Sequence, residues 1–303
     1  MPSPFPARPA PTRRMALALG LQTLILPRLA RAETPSGASR FTLADRFGTG
    51  ARPISVHLYR PAAWRAADQV LIVLHGRGRN AAEYRDQWIL HAEAGRVLVA
   101  VPEFDRDNFP GTAAYNWGGV VDQHGAPRPP QDWAFPIIDR VHDAICARTG
   151  ATRPHYALYG HSAGAQFTHR FLLLAPASRA EPVIIANAGS YTMPRRDVPF
   201  PFGLGGIALS DADLWRALAR PAVILLGDRD NDPDHESLPR QPGAAAQGPH
   251  RLARGHAFFA AAREAAERLG APFRWRLVEV PGIAHDNAGM AAAAIRLLAE
   301  PAR

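Results

Sequence analysis

Short apolar runs along the chain alternate with longer stretches in which apolar and polar residues recur at helical spacing. The short runs are rich in Val, Ile and Leu, and several of them, such as 70–75, are apolar at nearly every position. Continuous apolar runs of this length are typical of strands that are buried on both faces of a sheet. The pattern predicts strands at 54–59, 70–75, 97–102, 156–159, 183–187, 222–226 and 273–280.

The longer stretches predict helices that follow most of these strands. Gly95, Gly150 and Gly270 stand just beyond three of them, where glycine commonly ends a helix. The repeated order of strand and helix favours a mostly parallel central sheet with helices on both faces, so the predicted fold class is α/β. The predicted helices cover 80–94, 133–149, 162–174, 211–218, 255–269 and 288–298.

Two long segments fit neither pattern. Residues 103–130 are rich in Gly, Pro and aromatic residues, and residues 229–250 are rich in Pro, Asp and Gln. Loops of this length inside one domain are usually lids or binding loops. We therefore assign both segments to the rim of an active site.

The first 32 residues have the composition of an export signal. Arg13 and Arg14 precede an apolar run at 15–26 that is too short to span a bilayer, and Ala30-Arg31-Ala32 matches a cleavage site. The paired arginines resemble a twin-arginine signal; an ordinary secretory signal and an uncleaved anchor stay open as alternatives. We expect residues 33–303 to form one domain that is periplasmic or secreted, with no stable membrane insertion after signal cleavage.

The formal charge of +8 does not indicate a nucleic-acid partner. All 35 basic residues are Arg, and from residue 33 onward 30 arginines are mixed with 27 acidic residues without forming a basic stripe. Cys146 is the only cysteine, which excludes an internal disulfide and a multi-cysteine metal site. The sequence indicates no cofactor.

A G-x-S-x-G pattern centred on Ser162 is the strongest chemical signal in the chain. It follows a predicted strand and begins a predicted helix, which is the setting that a serine nucleophile on a sharp turn requires. Gly160 and Gly164 lack the Cβ atoms that would crowd such a turn, and the helix N-terminus favours developing negative charge. The pattern predicts Ser162 as the nucleophile and the backbone N–H of Ala163 as one oxyanion donor.

A serine nucleophile needs a base, and the base needs an acid that orients it. His285 follows the last predicted strand and precedes the last predicted helix, which makes it the predicted base among 12 histidines. The residues alone leave the acid open, because Asp228, Asp230 and Asp232 all follow one strand. Their alternation also resembles part of a calcium loop, but Pro233 stands where that loop needs Gly, so we expect no metal.

The order Ser, Asp, His and the strand contexts of these residues resemble the α/β-hydrolase fold over residues 54–298. Proteins with this fold often carry the acid in a G-x-x-D turn, and this resemblance assigns the acid to Asp230. The segment His75-Gly76-Arg77-Gly78 resembles their His-Gly-x loop, which implies that the N–H of Arg77 is the second oxyanion donor. This loop, the export signal and the general architecture make the chain similar to secreted esterases that resemble polyhydroxyalkanoate (polyhydroxybutyrate) depolymerases.

These features predict a serine hydrolase that cleaves small or oligomeric carboxylic esters, such as polyhydroxyalkanoate oligomers, through an acyl-serine intermediate. Peptidase, thioesterase or acyltransferase activity on the same triad and a non-catalytic binding protein with this fold are the alternatives. Trp117 and Tyr191 lie near the predicted rim, where aromatic side chains either line an apolar pocket or anchor loops. We take the pocket as the expectation for both.

Overall fold

In the computed structural model of the protein, a mixed eight-stranded sheet runs through the described residues, which are 34–47 and 50–300 together with Met1. The strands are β1 (Gly37–Phe47), β2 (Gly50–Arg60), β3 (Val70–Leu74), β4 (Leu98–Pro102), β5 (Tyr156–His161), β6 (Ala180–Ala186), β7 (Ala222–Gly227) and β8 (Trp275–Val280). Their order across the sheet is β1-β2-β4-β3-β5-β6-β7-β8.

The six strands from β3 to β8 pair in parallel, as the sequence pattern predicts. Every residue of β3, β4, β5 and β7 is buried, which explains why these strands are almost continuously apolar. The carboxyl ends of parallel strands meet at one edge of the sheet, so the loops that follow them lie close together there.

The sequence pattern missed β1, which pairs with β2 in antiparallel register along its whole length. The pair forms one edge of the sheet, and β2 joins the parallel part through an antiparallel pairing with β4. In β1, Phe41 and Leu43 are only half-buried and alternate with exposed residues. An edge strand of this kind needs few apolar residues, and therefore its apolar signal in the sequence is weak.

Helices pack on both faces of the sheet, and the core consists of one apolar cluster on each face. Helices α4, α5, α6 and α8 contribute to one cluster, and α1, α2 and α9 contribute to the other. A 3-10 turn covers Pro130–Asp132. The helices are α1 (Ala81–Gln87), α2 (Ile89–Gly95), α3 (Gly111–Ala114), α4 (Pro136–Thr149), α5 (Ala163–Leu174), α6 (Asp211–Ala219), α7 (Pro242–Ala245), α8 (Arg251–Leu269) and α9 (Asn287–Ala299).

The predicted single helix at 80–94 is divided into α1 and α2 at Trp88. The N–H of Trp88 donates to the carbonyl of Arg85, so the backbone tightens by one residue at this point. The tightening allows the fully buried indole to pack edge-to-face on Tyr159, with 4.9 Å between ring centroids. The other predicted helices are present with shifted ends, and α8 begins at Arg251, before the predicted start at 255.

The described residues from 34 to 300 form one compact unit. The predicted export signal at 1–32 lies outside the described residues. Within the described ranges, no helix is long and apolar enough to cross a membrane.

Candidate active site

Ser162 lies on the sharp turn between β5 and α5, with a φ of 57° and a ψ of −114°. Residues other than glycine rarely adopt this conformation. A Cβ atom on Gly160 would overlap the side chain of Thr168, and one on Gly164 would overlap the backbone carbonyl of Leu74. The two glycines therefore let the turn pack directly against α5 and β3, in agreement with the steric interpretation of the sequence.

Three residues predicted from the sequence form one hydrogen-bonded series. The Oγ–H of Ser162 donates to Nε2 of His285 over 3.0 Å, and the Nδ1–H of His285 donates to Oδ2 of Asp230 over 2.7 Å. Asp230 is only 3% exposed. The fold thus brings together residues that are separated by 123 and 55 positions in the chain.

The three candidate acids after β7, Asp228, Asp230 and Asp232, have different partners. A carboxylate oxygen of Asp228 accepts a hydrogen bond from the N–H of Gly282 over 2.7 Å, and Asp232 accepts one from the N–H of its exposed neighbour Asp234 over 2.8 Å. Of the three, Asp230 contacts His285. No group of three His, Cys, Asp or Glu side chains among the described residues is arranged to hold a metal ion.

Asn187, which the sequence reasoning did not single out, connects the loops that carry Asp230 and His285. Its Oδ1 accepts from the N–H of Gly227 over 2.9 Å, and its Nδ2 donates to the carbonyl of Ala284 over 3.2 Å. Its φ of 52° lies in the left-handed region, which asparagine tolerates better than most residues. An asparagine directly after a buried apolar strand was the available signal.

The neutral ring of His161 packs against the ring of His285, with 4.8 Å between the ring centroids. Burial, with the nearby His285 as a further cause, holds the pKa of His161 well below its usual range. Its Nδ1 lies within hydrogen-bonding distance of the Tyr84 hydroxyl, at 3.0 Å. An uncharged neighbour does not oppose the positive charge that His285 acquires when it takes a proton.

Two backbone N–H groups lie beside Ser162. The N–H of Ala163 is the first of α5 and has no acceptor within the helix. The N–H of Arg77 has no acceptor among the described residues, and its neighbour Gly76 approaches Ser162 closely enough that a Cβ atom there would lie 3.8 Å from the Ser162 Cβ. Arg77, Ser162 and Ala163 line the same cleft.

This cleft has a volume of about 550 Å³. Both long segments that the sequence places at the rim of the active site contribute residues to the lining of this cleft. Segment 103–130 contributes Arg106, Gly111, Thr112, Asn116 and Trp117, and segment 229–250 contributes Glu236, Ser237, Leu238, Pro239 and Gln241.

Two of the solved structures that are similar to the chain match it at substantial sequence identity. Poly(aspartic acid) hydrolase-1 from Sphingomonas sp. KT-1 is 43% identical, with a TM-score of 0.83, over 88% of this chain and 100% of that one. The poly(3-hydroxybutyrate) depolymerase LpqC from Bordetella parapertussis is 37% identical, with a TM-score of 0.82, over 87% of this chain and 89% of that one. The chain belongs to the polyhydroxybutyrate depolymerase-like esterases of the α/β-hydrolase fold. It is a hydrolase of ester bonds.

A more distant structure shares the fold of this esterase. FphF, a fluorophosphonate-binding serine hydrolase of Staphylococcus aureus, is 15% identical, with a TM-score of 0.54, over 88% of this chain and 98% of that one. At this identity the likeness concerns the α/β-hydrolase fold alone. No protein-family model and no curated protein matches the chain.

The two aromatic residues expected in the pocket of the esterase occupy different places. Trp117 lines the cleft, and its ring meets Phe200 edge-to-face. Tyr191 is fully buried, stacks on Phe258 with 4.6 Å between ring centroids, and does not line the cleft. The pocket prediction for Tyr191 is wrong, because the chain after β6 turns this side chain into the core and presents Ser190 to the cleft instead.

Two buried arginines hold the rim of the esterase cleft. Arg79 lies over the ring of Tyr115 at 4.4 Å, and Arg170 is fully buried, which lowers its pKa to about 9. Neither forms an ion pair with an acid among the described residues, and each guanidinium donates to three backbone carbonyls instead. The acceptors are Phe104, Phe109 and Gly111 for Arg79, and Asn116, Gln166 and Pro201 for Arg170.

Proposed function

We propose that this esterase cleaves carboxylic esters through an acyl-serine intermediate, with Ser162 as nucleophile, His285 as base and Asp230 as the acid that orients the base. The observation that carries the proposal is the hydrogen-bonded series of these three side chains, with Ser162 lining an open cleft. Membership of a family of hydrolases supports it.

In the proposed mechanism, His285 takes the proton of Ser162 while Oγ attacks the ester carbonyl. The negative charge that develops on the carbonyl oxygen is bound by the N–H groups of Arg77 and Ala163. Collapse of the tetrahedral intermediate breaks the bond to the alcohol, which leaves with the proton from His285. Water then repeats these steps on the acyl-serine, which releases the acid and restores Ser162.

The proposed substrates are small or oligomeric esters, including hydroxyalkanoate oligomers. Trp117, Phe202 and Leu238 supply apolar surface in the cleft, while Thr112 and Asn116 supply polar groups. Such a lining suits chains in which short hydrocarbon parts alternate with ester groups. LpqC, whose structure is similar, is a depolymerase of poly(3-hydroxybutyrate), a polymer of this kind.

A second candidate, in which the same triad cleaves amide bonds in place of ester bonds, is hydrolysis of an acidic polyamide, as in the similar poly(aspartic acid) hydrolase-1. Two arginines of the cleft favour it. The side chain of Arg77 is 67% exposed, and the charged pair that it forms with Glu236 is a loose one of 3.7 Å between exposed groups. Arg106 donates to the carbonyl of Arg77 over 3.0 Å, which places a second cation on the same wall. Such a pair would attract carboxylates.

Fluorophosphonate labelling, read by peptide mass spectrometry, tests the proposed nucleophile. We expect the label on Ser162, and we expect Ser162→Ala to lose both the label and hydrolysis of p-nitrophenyl butyrate. Absence of label on the folded wild-type protein would contradict the proposal and favour a non-catalytic binding protein.

Comparison of poly(aspartic acid) with hydroxybutyrate oligomers as substrates tests the substrate class. If the substrate is an acidic polymer, Arg77→Gln and Arg106→Gln each raise KM for poly(aspartic acid) about tenfold, and the effect weakens with added salt. If the substrate is an uncharged ester, hydroxybutyrate oligomers are cleaved faster than poly(aspartic acid), and both arginine variants keep the wild-type KM. Arg216→Gln, on α6 and away from the cleft, is the matched control for loss of an exposed arginine.

We also propose that the protein acts in the periplasm or outside the cell, with a small-molecule or oligomeric substrate as its partner, and without nucleic acid or stable membrane insertion. The signal-like composition of residues 1–32 supports export. Mass spectrometry of the N-terminus of the protein recovered from the periplasm would identify cleavage after Ala32; recovery from the cytoplasm with an intact N-terminus would contradict it.

A further inference from the structure

The second oxygen of Asp230 is held by a buried arginine. While Oδ2 accepts from His285, Oδ1 lies 3.2 Å from Nη1 of Arg251, and both side chains of this ion pair are at most 2% exposed. Arg251 is the first residue of α8, and the N–H of the next residue, Leu252, donates to the carbonyl of Asp230 over 3.1 Å. The start of α8 therefore contacts both the side chain and the backbone of Asp230.

The second guanidinium nitrogen of Arg251 contacts the wall of the cleft. Its Nη2 donates to Oγ of Ser237 over 2.8 Å, and Ser237 lines the cleft. The hydroxyl of Ser237 lies 3.1 Å from Nδ1 of His235, whose ring meets the ring of His285 edge-to-face at 5.3 Å. The contacts therefore form a ring: from His285 they pass through Asp230, Arg251, Ser237 and His235 and return to His285.

We propose that Arg251 is a positioning residue of this esterase, which fixes Asp230 in the orientation that His285 needs and ties it to the cleft wall at Ser237. The inference rests on the proposed triad. A carboxylate with one free oxygen can rotate about its Cβ–Cγ bond, whereas one held at both oxygens cannot. The planar guanidinium suits this role because its two Nη atoms bind two partners in a fixed geometry.

The charge of Arg251 also acts on the base. The titratable groups that contact His285 are Asp230, His161 and His235, and Arg251 lies on the far side of Asp230. Removal of its positive charge leaves the carboxylate free to stabilise the imidazolium more strongly. Because catalysis needs neutral His285, the acid limb of the activity profile then moves to higher pH, by about one unit.

Two substitutions separate the effect of the Arg251 charge from the effect of its two Nη contacts. Arg251→Met keeps most of the volume and removes the charge; we expect kcat/KM about 10- to 100-fold lower and the acid limb about one pH unit higher. Arg251→Lys keeps a charge beside Asp230 but cannot reach both partners. We expect Arg251→Lys to leave the acid limb in place. Its kcat/KM should equal that of Ser237→Ala, because both variants lose the contact between residue 251 and the cleft wall.

A second readout does not depend on turnover. We expect proton NMR of the folded protein to resolve the proton between Nδ1 of His285 and Asp230, and the pH titration of this signal should shift in Arg251→Met but not in Arg251→Lys. If Arg251→Met does not fold, the same measurements are made on Arg251→Gln, which also lacks the positive charge. An unchanged titration and an unchanged acid limb in a folded neutral variant would overturn the proposal while the triad stands. A wild-type protein without label on Ser162 would instead contradict the proposed function.

Discussion

Asp228, Asp230 and Asp232 occupy alternate positions of one loop, yet their carboxylates serve different contacts. Asp228 holds the turn at Gly282 from outside the cleft, and Asp232 is exposed and binds within its own loop. Asp230 is the buried member, because the start of α8 closes over it. At the scale of single residues, the burial and the direction of each carboxylate therefore determine its role.

Alanine at each of these three positions should give three different results. Asp230→Ala leaves the base without its orienting partner and should lower kcat about 10³- to 10⁴-fold. Asp228→Ala should lower kcat roughly threefold to tenfold, because the turn before His285 loses one charge-assisted hydrogen bond. Steady-state kinetics with p-nitrophenyl butyrate measures both, and Asp232→Ala is the control with wild-type rates. Equal losses at 228 and 230 would contradict the assignment.

How far the sequence predicts the site differs from residue to residue. Ser162 and His285 are recognisable because each has a fixed place relative to a strand and a helix. Arg251 is one arginine among 35 and carries no local signal, since its role depends on the packing of α8 against the loop after β7. Tyr191 was misassigned for the same reason: the strand that precedes it was predicted, but the direction of the chain beyond it was not.

At the scale of elements, the site depends on the packing of α5 and β5 against β3. Gly164, in the first turn of α5, lies so close to β3 that a side chain there would overlap the carbonyl of Leu74. A backbone carbonyl cannot move aside without loss of the pairing between β3 and its neighbours. The close approach thus holds the first turn of the helix, and with it the N–H of Ala163, next to the loop of Arg77.

Gly164→Ala should accordingly destabilise the protein by about 3 kcal/mol. Gly95→Ala is a suitable control, because the nearest neighbour of its added Cβ atom is the side chain of Ile295 at 3.3 Å, which is able to shift. We expect this control to change the free energy of unfolding by less than about 1 kcal/mol. Urea denaturation followed by circular dichroism measures both values, and equal effects would show that the contact with β3 is not restrictive.

The elements themselves were predictable where burial leaves a strong pattern. Four of the parallel strands, β3, β4, β5 and β7, are buried at every residue, so their apolar runs identify them, and the alternation with helices implies the parallel arrangement. Strand β1 lies at an edge and was missed, and the break at Trp88 depends on a tertiary contact with Tyr159. Both failures concern features that neighbouring elements decide.

At the scale of the whole molecule, the interior contains histidines that stay neutral. His75, His161 and His169 are at most 3% exposed. Burial lowers the pKa of His75 to about 4, and it holds those of His161 and His169 well below the usual range. An unfolded chain would expose all three to water, where histidine has a pKa of about 6.5.

This difference predicts that the esterase loses stability in mild acid. Below about pH 6.5 the unfolded chain binds protons at these histidines and the native protein does not, so the free energy of unfolding falls as the pH decreases; above that pH their contribution is complete. For His75 alone, the loss between pH 6.5 and 4 is about 3 kcal/mol. Urea denaturation between pH 7.5 and 4.5 measures the slope.

Substitution of one buried histidine separates this cause from general acid denaturation. His161→Gln removes one proton-binding site of the unfolded chain, and the slope between pH 6 and 4.5 should decrease by about 1.4 kcal/mol per pH unit. His124→Gln, at an exposed position, should leave the slope unchanged. If His161→Gln kept the wild-type slope, His161 would have to bind its proton equally in the native and the unfolded protein, and groups other than this histidine would have to cause the pH dependence, because a histidine that stays neutral only in the native state necessarily contributes to the slope.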